Sequence, residues 1–438
     1  MPISKERDIA NINYYFFLIA VSLTPLQIYT IPIRGFYPSI SIMAAYACFI
    51  LIPFYRTSPR HKHLLPLVAM LLWMTGTLPL HQEKTLLIKI IFYNIPFVAL
   101  FISGYYISAH REDWHTPFYF AIAFSAVNAL LVLTFRTLPH LEQHLYHLSI
   151  AKLFINPNRV DYILKSPELT NAFIDYRKSG GFFPNANYGA VFSGISCLAS
   201  YGLYKAKSNN ILFIAALLFI SAMLASGSKP AYIAAPCITL FMFIKEKKLY
   251  RILLITCFLA SLSLSLSTTG KPFKQDKPAT MNKTTAQVQK MITYHANNTI
   301  ANYDTRLALW EYSLDLISKR PLFGSSPNQL EKIGGELFKN MQPHNTYLKV
   351  GVYFGIPALI LAMLFHIGML RAIWKAKYNV PTQYRCFALC TFLSFGLMVA
   401  QGLVSNAEPT GEFHSAALLA GMCGITLGLA SPQVRTKP

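Results

Sequence analysis

Apolar runs of about 17 to 25 residues recur along this 438-residue chain, each long enough to cross about 30 Å of hydrocarbon as a helix. Such segments have few structural alternatives. In lipid every backbone polar group must find its partner within the structure, which selects helices and rejects open strands. About twelve runs occur, at 14–31, 38–54, 64–80, 86–108, 117–135, 188–204, 211–225, 230–244, 252–267, 347–370, 386–404 and 415–430. Composition agrees: 53% of residues are apolar, 13% are charged and the mean hydropathy is +0.38, which leaves too little polar surface for a soluble globule. The expected fold is all-α, a polytopic membrane protein of about twelve transmembrane helices forming one domain over 1–438.

Lys and Arg in the short connections set the orientation. With the N-terminus inside, the inner set holds Lys5, Arg7, Arg56, Arg60, Lys62, Arg111, Lys205, Lys207, Lys245, Lys247, Lys248, Arg251, Arg371, Lys375, Lys377, Arg385, Arg435 and Lys437. The short outer loops hold only Arg34, Lys84 and Lys229. Both termini are therefore expected in the cytoplasm. No cleavable signal peptide is expected either, since 1–13 is polar and no small-residue cleavage site follows the first run.

Two long outer loops remain, 136–187 and 270–343, and both carry more Lys and Arg than Asp and Glu. That excess points to an anionic partner outside the membrane. It does not point to nucleic acid, because the basic residues are spread along a membrane chain without a reading motif. All seven cysteines (Cys48, Cys197, Cys237, Cys257, Cys386, Cys390 and Cys423) fall within apolar runs, where they read as small buried packing residues rather than disulfides or zinc ligands.

The second long loop reads as two amphipathic helices. In the first, Asp304 or Thr305 can cap the start, Leu307, Trp310, Leu314 and Ile317 form a stripe, and Arg320-Pro321 ends it. In the second, Ser326 and Gln329 make a capping box with Pro327 at the first turn, and Leu330, Ile333, Leu337 and Met341 share a face. Helices of this kind lie on a membrane surface or roof a site.

The segment RLALW (306–310), KRPLFG (319–324), HNTYL (344–348) and then Gly355 resembles the shared core of the O-antigen ligase and O-antigen polymerase superfamily. GFFPNANYGA (181–190) and SGSKPAY (226–232) are similar to further landmarks of that family, in the same order. The resemblance implies an integral membrane, metal-independent glycosyltransferase of a bacterial inner membrane, its active site facing the periplasm. The donor would be a glycan on undecaprenyl diphosphate. In a ligase the acceptor is the lipid A core, and in a polymerase it is another lipid-linked repeat unit. The ligase pattern matches at His344, Asn345 and Gly355 but meets Ala358 at its last position. The arginine-to-glycine spacing of some polymerase loops is not evident. Relatives that glycosylate proteins often carry a domain after the last span, whereas this sequence stops at Pro438, so a ligase is expected.

The chemistry asks for the same residue types. A diphosphate leaving group needs cations, and an acceptor hydroxyl needs a group that orients or deprotonates it near neutral pH. His344 is the candidate base, against the plainer reading of an interfacial His beside Pro343. Arg306 is the candidate diphosphate clamp, its guanidinium offering a planar fork to phosphate oxygens, against a solvated residue stacked on Trp310. Lys229 stands where relatives commonly have Arg and is a further donor candidate, or a simple interface anchor. Lys89 lies within an apolar run, where an ammonium costs at least about 2.5 kcal/mol, so it is a donor-site candidate unless it snorkels. Arg177 and Lys178 are weaker donor candidates whose plain reading is a solvated pair. Asn345 and Asn187 are candidate sugar contacts. For Asn185 and Asn187 the alternative, which is the favoured reading, is capping of the sixth run. Glu408, Glu412 and His414 read as a polar turn that could touch the acceptor.

The outer loops hold no Asp-x-Asp, paired carboxylates or His cluster, so neither a Mg or Mn site nor a cofactor is expected. Two other classes compete. A transporter would more often show two six-span halves around a central cytoplasmic loop. A flippase for lipid-linked sugars would need a charged path through the membrane, where Lys89 stands nearly alone.

Overall fold

The computed structural model describes residues 3–26, 38–54, 62–81, 84–138, 141–142, 144, 178–183, 185–267, 299–325, 343–405 and 416–431. Among them the chain is all-helical with no β-strand. The principal helices are α1 (Ile3–Ser22), α2 (Ile40–Leu51), α3 (Leu65–Thr77), α4 (Lys84–His110), α5 (Thr116–Thr137), α6 (Ala186–Lys207), α7 (Asn210–Ala225), α8 (Ala231–Lys245), α9 (Lys248–Ser267), α10 (Thr299–Lys319), α11 (Thr346–Asn379), α12 (Arg385–Val404) and α13 (Ala416–Leu429). Every predicted run falls on one of them, and α10 comes from the second long loop. By length and composition 4 segments suffice to cross a membrane: Ile90–His110, Thr116–Thr137, Thr346–Asn379 and Thr382–Val404. The apolar helices within Ile40–Phe54, Leu65–Leu80, Asn210–Ala225, Ala231–Lys245 and Ala417–Leu429 are shorter.

Helix α6 sits at the centre, buried almost continuously from Gly189 to Tyr204, between α5, α7, α8 and α12. Small residues permit the close approaches: Gly202 lies against Phe387 of α12, and Gly424 of α13 against the Phe101 carbonyl of α4. Polar side chains inside the bundle are turned onto backbone carbonyls, Ser200 donating to Leu212 at 2.7 Å and Tyr46 to Phe92 at 2.8 Å. All seven cysteines are free, and Cys48, Cys197, Cys390 and Cys423 are buried as expected. Cys237 instead faces outward from α8.

Three expectations need correction. Helix α10 begins at Thr299, so Asp304 and Thr305 lie inside it rather than at its start. The local cap signal loses to apolar spacing that continues upstream through Ile300 and Tyr303. Its buried face matches the predicted stripe only in part: Ile317 is buried and Trp310 half-buried, with Leu309, Ser313 and Leu316 buried beside them, whereas Leu307 and Leu314 are exposed. Apolar residues occur on both faces of this helix, and the packing partner selects between them; Ile317 enters the space left by Gly351 of α11.

The third correction concerns α11. A single span was expected over 347–370, yet the chain reverses sharply at Gly355, whose φ of 82° and ψ of 177° are not helical. The Tyr347 hydroxyl lies 2.9 Å from His366 Nδ1, 19 residues away in sequence. In a straight helix those residues would stand about 28 Å apart. Helix α11 is therefore a hairpin: a short arm, 346–354, folded back on a long arm, 356–379, of about 36 Å, long enough by itself to cross a bilayer. The second predicted loop helix at 326–341 lies outside the described residues.

Candidate active site

The fold brings the sequence landmarks together at this reversal. The turn after α10 docks into it: Pro321 O accepts from Ile356 N at 2.7 Å, and Val352 O accepts from Ser325 N at 2.6 Å. A side chain at 355 would fall on the carbonyls of Pro321 and Leu322, and the backbone there belongs to a region reserved almost wholly for glycine. KRPLFG and Gly355 are thus two halves of one joint. Helix α3 closes it from the side, with Trp73 Nε1 donating to Phe354 O at 3.0 Å and its ring stacked on Phe323 at 5.9 Å. His81 sets its ring edge-on to Phe354 at 6.3 Å. Burial, and to a smaller degree the Arg320 charge, lower its pKa against a hydrogen bond to the Phe323 backbone.

His344 opens the short arm. It is half-buried and holds a left-handed backbone, φ 50°, a conformation that His tolerates better than most residues. Asn345 beside it caps the arm, its Oδ1 accepting from Tyr347 N at 3.0 Å and Leu348 N at 3.1 Å. Its Nδ2 donates to Leu403 O at 3.1 Å, and Thr346 donates to Ser405 O at 3.3 Å, tying the arm to the end of α12. Asn345 is thus engaged as a cap. On the other side, Trp310 Nε1 donates to Pro343 O at 2.8 Å and fixes α10 to the residue before His344.

Arg306 lies exposed on α10, one turn before Trp310. Burial first, then the charges of Arg306 and Lys349, hold the His344 pKa below its ordinary value. At neutral pH the imidazole is consequently neutral and able to accept a proton. The two principal candidates share one electrostatic environment. Lys349 was missed from the sequence, although it is only 4% exposed and one turn into the short arm. The reasoning that singled out Lys89, an ammonium within an apolar run, finds it equally well.

The other candidates form a second group. Asn185 Oδ1 caps α6 by accepting from Asn187 N at 2.8 Å, as the capping reading expects. The Asn187 side-chain oxygen accepts from Ser228 at 2.8 Å, joining GFFPNANYGA to SGSKPAY. Ser179 N adds a bond to Ser226 O at 3.0 Å. Lys229 is exposed in the same turn, and Lys178 is half-buried beside Ser179. Helices α6 and α12 carry this group and the His344 arm at the same end of the bundle, packed together through Gly194 and Leu397. Arg136, placed at a loop edge by sequence, is 2% exposed at this end of α5. Lys89 lies in α4, but its side chain falls outside the described residues, as do Arg177, Glu408, Glu412 and His414.

No curated protein matches the chain. Residues 214–363 match the family described as O-antigen ligase, a segment that runs from α7 through the α11 reversal and contains Lys229, Arg306, His344, Lys349 and Gly355. The match covers about a third of the chain and, with its landmarks assembled around that reversal, supports an O-antigen ligase- or polymerase-type function in general, in keeping with the apolar helices of a multi-pass membrane protein.

Proposed function

We propose that the protein is an O-antigen ligase that moves a glycan from undecaprenyl diphosphate to the lipid A core without a metal ion. One arrangement supports the reading: His344 opens the short arm of α11, Trp310 of the helix that carries Arg306 is hydrogen-bonded to the residue before it, and Lys349 follows one turn on, all within the matched family segment. His344 takes the proton of the acceptor hydroxyl, whose oxygen attacks the anomeric carbon from the face opposite the diphosphate. The configuration inverts, and the lipid diphosphate leaves with the glycosidic electron pair. Arg306 binds it through the guanidinium fork, while Lys349, Lys229, Lys178, Arg177 and Lys89 supply further positive charge along the carrier's headgroup. Asn187 and Asn345 line the sugar side. Twelve crossings of the inner membrane, cytoplasmic termini and a periplasmic site complete the proposal.

The second reading is a polymerase, favoured by Ala358 at the last position of the ligase pattern. One experiment decides between them. Purified protein is mixed with undecaprenyl-diphosphate glycan and lipid A core, with neither nucleotide nor metal and with chelator present. Glycan joined to lipid A core supports the ligase; one repeat unit added to another means polymerase. Lipid movement without transfer in vesicles would mean a flippase, and activity that vanishes with chelator and returns with Mg or Mn would overturn metal independence.

A further inference from the structure

His366 is 3% exposed in the middle of the long arm of α11, against the rings of Phe365 and Phe395. An imidazole in such a place is expensive where a phenyl ring would not be, and here Nε2 is buried without a hydrogen-bond partner. Its Nδ1 does have one, the Tyr347 hydroxyl at 2.9 Å. Tyr347 stands on the short arm three residues after His344, so this bond exists only while α11 is folded at Gly355. Other ties on the arm run to α12, α10, the turn after α10 and α3, among them Asn345 to Leu403, Thr346 to Ser405, Gly351 to Ile317, Val352 to Ser325 and Phe354 to Trp73. The Tyr347 hydrogen bond joins the two arms of α11 directly.

We propose that Tyr347 and His366 are positioning residues for glycan transfer, their hydrogen bond fixing the tilt of the short arm and thus the place of the His344 imidazole relative to the acceptor hydroxyl. The inference rests on the ligase reading above. A misplacement of about 1 Å costs about 100-fold when it falls on a reacting group, so loss of the bond acts on turnover rather than on donor binding.

The test uses the full chain in detergent or vesicles, with Tyr347→Phe, His366→Phe, the double variant and His366→Asn, whose side-chain oxygen replaces Nδ1 as a partner for the hydroxyl. Each Phe variant should lower kcat by about 10- to 100-fold with donor KM changed less than about twofold. The double variant should be no worse than either single one, and His366→Asn should recover most of the lost rate. Amide exchange over 346–354 is followed in parallel, since it reads the arm without requiring catalysis. Normal kcat in both Phe variants, or losses that add in the double variant, would overturn the inference while leaving the ligase reading standing. A wild-type protein that transfers nothing would sink the ligase reading instead; faster exchange in the Phe variants would then still show the bond holding the arm, and unchanged exchange would dispose of the lock as well.

Discussion

Glu246 and His344, at opposite ends of the bundle, sit in opposite surroundings. At the end away from His344, Glu246 is 4% exposed yet fully engaged: Lys205 Nζ lies 2.7 Å from one oxygen, which also accepts from Tyr201 at 2.7 Å, and Tyr204 lies 3.5 Å from the other. That cluster is neutralised within the fold. At the His344 end, the two charges that act on the imidazole are both positive. The carboxylate is met by a cation and two hydroxyls, whereas the imidazole, neutral at ordinary pH, is met by two cations.

Removing the reacting group should have the largest effect. His344→Ala is expected to lower transfer by at least about 100-fold with membrane insertion intact, and Arg306→Lys should be nearly as damaging because the fork is lost. Product formation beside a protease-protection topology assay measures both; full activity in both variants would move the site elsewhere. Next comes the joint. Gly355→Ala strains a glycine-only backbone and drives Cβ into the Leu322 carbonyl, so stability should fall by about 1–3 kcal/mol, read as a lower melting temperature and yield.

Lys349→Met probes the His344 end most directly. Losing a positive neighbour makes protonation of His344 easier and raises its pKa, so the acid limb of the rate-against-pH curve should move to higher pH. A limb that stays put or moves down would refute the shared field. At the opposite end, Glu246→Gln should cost about 1–3 kcal/mol of stability but leave turnover per folded molecule unchanged; a kcat effect there would break the contrast between the two ends. The smallest effect is expected at Asp315, whose ion pair with Lys319 at 2.6 Å is exposed on α10. Asp315→Asn should change neither melting nor rate measurably.

What the sequence revealed divides along the same physical lines. Apolar run length located the helices of the bundle among the described residues other than α10 and the split of α11, since the demand for internal backbone pairing acts locally. Arg306 and His344 stood out by chemistry and by motif. The reversal at Gly355 did not, because hydropathy is blind to direction and reads a hairpin of two apolar arms as one long helix. Lys349 and His366 were hidden inside that same run. The buried face of α10 depended on Gly351, a partner distant in sequence. Asn185 was legible as a cap because capping needs only the next two residues.

The left-handed backbone at His344 has a practical consequence for anyone choosing replacements there. Alanine keeps the Cβ clash of that conformation, and valine or isoleucine worsen it, so a saturation library would confuse misfolding with inactivity. Asparagine tolerates that dihedral, which makes His344→Asn the substitution that isolates proton transfer from conformation.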